Sequence, residues 1–196
     1  QFAGFATLDH DLSHGVDNGF TSRNAPSLAN LAWMRAYHWD GGVHNIEVQP
    51  LTPFTHPQEM GETLENVVAK INADESYKPL FKAAFGNTKV SMARINKALA
   101  QFTCSLVSSN SKYDRVMRGE DSFDDVELKG YALFKANCAS CHKEPLFTDG
   151  SYRNNGMGLN YSKDVGRSKI TGLRADSLRF KVPTLRNVQV SYPYMH

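Results

Sequence analysis

Cys138-Ala139-Ser140-Cys141-His142 concentrates the chemistry of this sequence. Two thiols on one helical turn can add to the vinyl groups of a porphyrin. The adjoining histidine then lies where an axial ligand to iron is needed, so C-x-x-C-H predicts covalent attachment of a c-type haem. A zinc site would need a second Cys/His pair, but the third cysteine, Cys104, has no such companion in the sequence. A thioredoxin-like reading would place C-x-x-C after a strand in a βαβ pattern, whereas helical sequence precedes it here. With two of the three cysteines in the motif, no disulfide framework staples the fold. Cys104, on the apolar side of a helix, reads as a small core residue. Attachment of haem through this motif takes place outside the cytoplasmic membrane, which predicts a periplasmic location.

The elements that must position the motif are helical. Leu64, Val67, Val68 and Ile71 recur at i, i+3, i+4 and i+7 behind Thr63 as a cap. Ser76 to Phe85 forms a short amphipathic segment closed by Gly86. A longer helix starts at Ser91, with Ile95, Leu99, Phe102, Leu106 and Val107 expected on one face, and Tyr113 to Met117 adds a turn or two before Gly119. Ser122-x-x-Asp125 resembles a capping box that opens the helix carrying Val126, Leu128, Tyr131, Leu133 and Phe134 into the motif. Residues 1 to about 62 have no clear period, yet they hold five of the seven histidines and both tryptophans. Such a stretch predicts loop structure wrapped around something large and flat. Glycine-rich loops follow His142, and no strand pattern or internal repeat is evident, so the fold class expected is all-α with long haem-wrapping loops.

The 41% hydrophobic content suits a globular chain with a buried core, and the net charge of +2 with no Lys/Arg run argues against nucleic acid. No apolar stretch approaches the roughly 18 residues that span a bilayer. The sequence has no initiator Met and no signal peptide, as expected of a mature or truncated product.

Several separated motifs extend the reading. Cys138-x-x-Cys141-His142 followed by Phe147-Thr148-Asp149, then Gly166-Arg167, Thr171-Gly172, Phe180 to Asn187 and Pro193-Tyr194-Met195-His196, is similar to the second half of the bacterial di-haem cytochrome c peroxidase family, a superfamily that includes the MauG-type enzymes. Leu12-Ser13-His14-Gly15, Arg23 to Leu28, Trp39-Asp40-Gly41, Gln49 and Glu59-Met60-Gly61 resemble its first half, in the family's order.

The resemblance implies two cytochrome c-like helical lobes: residues 1–119, from a peroxidatic domain whose own attachment motif is absent from this sequence, and residues 120–196, from a truncated electron-transfer domain. It implies haem c, with one covalent site here and two in the family. His142 would be the proximal ligand and His14 the distal ligand of the peroxidatic iron. Glu59 and Gln49 would lie over the peroxide-binding face, where a carboxylate can move a proton between the oxygens of H2O2 and a glutamine can only orient it. Trp39 would stand between the haems. Asn24, with the backbone carbonyls of Lys181 and Pro183, would bind a structural Ca²⁺, a hard cation suited to oxygen donors. Met195 and His196 are structural in the family and are not expected to be ligands.

The implied activity is reduction of H2O2 to water with electrons from a small redox protein, a cytochrome c or a cupredoxin, in an enzyme that is commonly a homodimer. The alternatives are a MauG-like oxidase acting on a protein substrate, against which His14 argues, and a mono-haem electron carrier, in which Glu59 and Gln49 would have no purpose. Without the first attachment motif, residues 1–60 are expected to be poorly anchored.

Overall fold

The computed structural model describes residues 11–157, 163–191 and Tyr194, so Met195 and His196 lie outside the described residues. Its regular structure is almost wholly helical, as the sequence predicts. The helices are α1 (Leu51–Thr55), α2 (Leu64–Ala73), α3 (Tyr77–Phe85), α4 (Met92–Ser105), α5 (Lys112–Met117), α6 (Asp125–Asn137) and α7 (Ser168–Thr171). Strands β1 (Tyr152–Arg153) and β2 (Phe180–Lys181) pair antiparallel, Tyr152 opposite Lys181. Two residues per strand are too few to show alternation, which is why no strand was legible in the sequence.

Helix α2 starts where Thr63 accepts the Asn66 amide, and α3 ends on Gly86 in the left-handed region at φ 77°. Val67, Phe81 and Ile95 form the buried centre of these helices, with Phe54, Ile71, Phe85 and Leu99 packed around them. On α4 the expected apolar face is rotated. Phe102 is 61% exposed, whereas Asn96 and Ala100 are buried, and the helix ends at Ser105, so Leu106 and Val107 fall outside it, Val107 48% exposed. The reason is a second contact: α4 also packs on the Leu31–Trp33 turn, which shifts the buried stripe toward Asn96. Cys104 is half-buried on this helix.

Helix α6 begins two residues later than Ser122 suggests. Asp124 is the cap: it accepts the Val126 and Glu127 amides, and the Glu127 carboxylate accepts the Asp124 amide in return. Only one of its apolar faces is covered. Tyr131 and Phe134 join Tyr113, Phe123 and Phe147 in an aromatic cluster, while Val126 and Leu133 are exposed.

Within residues 11–60 the expectation of poor anchoring is corrected. The Val16 amide donates to Glu59 O at 2.8 Å, the Asn30 amide to Leu106 O at 2.9 Å, and the Lys181 amide to Trp39 O at 2.7 Å. These anchors reach residues far along the chain, where local sequence gives no sign of them.

Arg186 and Asp114 tie α5 to the segment after β2. They form two parallel hydrogen bonds of 2.9 and 2.7 Å, with side chains only 6% and 9% exposed. The Arg186 guanidinium holds the Asp114 carboxyl well below the usual carboxylate range, against burial and with help from Ser111. Replacing Asp114 by Ala would strand a buried guanidinium and is expected to cost about 3–5 kcal/mol in denaturant unfolding. A depressed carboxyl adds stability above its unfolded pKa of about 3.9 and loses it as pH falls. The stability gap between the wild type and Asp114→Asn is therefore expected to narrow below about pH 4.

Candidate functional site

Helix α6 delivers the attachment motif at its C-terminus, where the Cys141 and His142 amides both turn back to Cys138 O at 3.2 and 2.9 Å. Cys138 is exposed, Cys141 half-buried, and neither is in a disulfide. His142 Nδ1 lies 3.1 Å from both Phe147 O and Pro183 O. Carbonyls only accept, so Nδ1 carries the proton and Nε2 is the nitrogen with a lone pair for a metal.

Side chains zip together the two segments that hold these carbonyls. Thr148 Oγ1 donates to Val182 O at 2.5 Å, Thr184 Oγ1 to Leu146 O at 2.6 Å and Arg186 Nε to Pro145 O at 2.8 Å. Glu144, two residues after His142, accepts from the Tyr131 hydroxyl and the Lys135 ammonium, each at 2.7 Å.

Cys141 and His142 line a cavity of about 700 Å³, within the roughly 300–1,000 Å³ of cofactor pockets. Its wall is closed from the first half of the chain by the 24–39 segment, including Trp39, and from the second half by Leu178 to Val188. An oriented imidazole and the Cys141 thiol opening on a largely apolar space, with the exposed Cys138 thiol three residues before Cys141, fit a covalently bound haem. Cys138, Cys141 and His142 are the residues that would hold it.

Trp39, Asn24, Lys181 and Pro183 all line this cavity. The Trp39 indole N–H donates to Asn24 O at 2.7 Å, and the Asn24 amide nitrogen donates to Asp11 O at 3.0 Å. The Lys181 ammonium donates to Ala36 O at 2.7 Å, and burial pulls it down to about 8 against the attraction of Asp40.

The other expected residues lie on neighbouring loops. His14, exposed, packs with its ring tilted 56° to that of Phe20, centroids 4.4 Å apart, across a loop closed by the Thr21 amide on Ser13 O. That loop is strapped to the Glu59 turn through the Val16 amide. Gly15 permits the approach, since a Cβ there would sit 1.9 Å from Gln58 O. The structure thus brings His14 and Glu59 onto abutting loops. Gln49 stands at the other end of α1 from Glu59, and its carbonyl accepts the Thr52 amide at 3.3 Å.

Sequence reasoning missed His38. This residue lines the cavity beside Trp39 in a left-handed conformation at φ 63°. Burial lowers its imidazole pKa, partly countered by Asp40 and Glu59. Adjacency to Trp39 was its one sequence signal.

A helix that ends in two thiols and an oriented imidazole, beside a largely apolar cavity, defines a c-type haem protein. The chain belongs to the di-haem cytochrome c peroxidase family, whose model matches residues 1–122. It is similar to the methylamine utilization protein MauG of Methylorubrum extorquens, 39% identical over 95% of this chain and 57% of that protein. It is also similar to the cytochrome c551 peroxidase of Nitrosomonas europaea, 35% identical over 95% of this chain and 60% of that protein. A solved MauG-like protein associated with microbial copper homeostasis superposes with a TM-score of 0.84 at 31% identity, over 95% of this chain and 61% of that one. The chain therefore spans 57% and 60% of the length of the first two relatives.

Thr148→Val tests the zip that orients His142. The change keeps the shape and strips the donor from Val182 O, so unfolding is expected to become about 1–3 kcal/mol easier. Unchanged stability would show that the bond is not needed.

Proposed function

We propose that this chain forms part of a periplasmic di-haem peroxidase that reduces hydrogen peroxide to water with electrons from a small redox protein. The observation that carries the reading is the coexistence of two built regions. One is the His142 cavity with Trp39 in its wall, and the other is the pair of abutting loops that carry His14 and Glu59. A simple electron carrier needs only the first. The division into a peroxidatic lobe (1–119) and an electron-transfer lobe (120–196) follows the same reading.

Bound haem supplies the iron that exchanges electrons. The chain's residues do the rest. Cys138 and Cys141 would tether the group, and His142, oriented by Phe147 O and Pro183 O, would offer Nε2 to its iron. His14 would be a ligand to the iron of the peroxidatic site. Glu59 takes a proton from one oxygen of H2O2 and returns it to the departing oxygen, while Gln49 orients the peroxide. Trp39 shortens the electron path out of the His142 cavity.

A MauG-like oxidase acting on a protein is the second reading, favoured by the 39% identity to MauG. Peroxide turnover with a reduced small redox protein separates the two. Under the peroxidase reading Glu59→Gln is expected to lower kcat/KM for H2O2 by about 10²–10⁴-fold. Turnover that is indifferent to Glu59, or that needs a protein substrate in place of a redox donor, would count against it.

Asn24 and the carbonyls of Lys181 and Pro183 also suit a structural Ca²⁺. Pro183 O has a second lone pair beyond the one that accepts from His142. With no carboxylate among these donors, chelator treatment is expected to strip the ion readily. Elemental analysis should find about one calcium per chain before EDTA and none after.

A further inference from the structure

Trp39 is braced from several directions. Besides the indole bond to Asn24 O, its carbonyl accepts the Lys181 amide at 2.7 Å. The next residue, Asp40, is buried at 6% exposure. One of its carboxylate oxygens accepts from Arg23, the other accepts the Gly42 amide at 2.9 Å, and its backbone carbonyl accepts from Arg167 at 2.9 Å. Arg23 is held in turn by Asp164 at 2.6 and 2.9 Å. The Arg167 guanidinium lies 3.8 Å over the Tyr152 ring. Gly41, at φ 70°, leaves room for that ring, since a Cβ would meet the Tyr152 hydroxyl oxygen at 1.8 Å.

Residues 36–42 are therefore clamped by Tyr152, Arg167 and Lys181 directly and by Asp164 through Arg23; all of these but Arg23 come from the second half of the chain. A buried ion pair adds little net stability over apolar packing, but it can select one arrangement. Here the arrangement selected is that of the segment carrying Trp39.

We propose that Asp40 is a positioning residue for Trp39: held between Arg23 and Arg167, it fixes the indole in the cavity wall, and electron delivery to peroxide depends on this brace. The inference rests on reading Trp39 as part of the electron path.

Asp40→Asn in the haem-loaded protein is the test, because it keeps an acceptor for Gly42 and removes the charge facing Arg23. Amide exchange across residues 36–42 is expected to rise by about tenfold. Electron delivery to peroxide, followed as stopped-flow oxidation of the reduced haem at His142, is expected to slow by about ten- to a hundredfold. That haem's reduction potential and absorption spectrum should stay as in the wild type. Unchanged exchange, or faster exchange with unchanged delivery, overturns the proposal.

Trp39→Phe isolates the underlying reading. If it leaves delivery unchanged, the electron-path role of Trp39 fails. If it slows delivery while Asp40→Asn does not, the brace alone fails. Should Asp40→Asn not fold, Arg167→Gln removes the contacts to Asp40 O and the Tyr152 ring from a half-buried position. It is expected to give the same two changes, and their absence likewise overturns the proposal.

Discussion

The Nδ1–H of His142 needs an acceptor, and the two carbonyls that provide it come from two segments far apart in the sequence. Phe147 lies five residues on, and Pro183 lies forty-one residues on. An imidazole free to rotate would offer either nitrogen to a metal and would pay for its ordering on binding; one held by backbone carbonyls is oriented beforehand. To place those carbonyls, the loop after the motif and the segment after β2 must run side by side. The Thr148, Thr184 and Arg186 bonds serve this alignment. The short β1–β2 pair continues it.

Two charged clamps then join distant parts of the chain. Arg186 and Asp114 bind α5 to the segment that carries Pro183. Arg23, with Asp40 and Asp164, binds the loops near Trp39 to the second half. Both are largely shielded from solvent, so each partner depends on the other: loss of one leaves a charge where water cannot compensate. The apolar centre of α2, α3 and α4 is separate from both clamps. It supports the Glu59 turn through Phe54 on α1, whose carbonyl accepts the Glu62 amide at 2.8 Å.

The helices were readable because their signals are local. Thr63 caps α2, Gly86 ends α3, and a spacing near 3.6 marks their buried faces. Where two contact surfaces compete for one helix, the pattern misleads, as with Phe102 on α4. Where two candidate caps lie close together, as at Ser122 and Asp124, the reciprocal bond with Glu127 decides between them. The chemistry of the motif was legible for the same reason: Cys138, Cys141 and His142 need only their spacing to announce it. His14, Glu59, Trp39 and Asn24 came from resemblance to a family, not from local pattern.

What the sequence determined by itself is therefore the short-range content: the helical elements, their caps, and a pair of thiols beside a histidine. Tertiary structure decided which nitrogen of His142 carries the proton, where Trp39 stands, and which carboxylates are matched by arginines. Arg23 and Asp164 are 141 residues apart in sequence, and Asp114 and Arg186 are 72 apart. No periodicity spans such distances. Only the folded chain brings these groups within hydrogen-bonding range, and burial then makes each pairing obligatory.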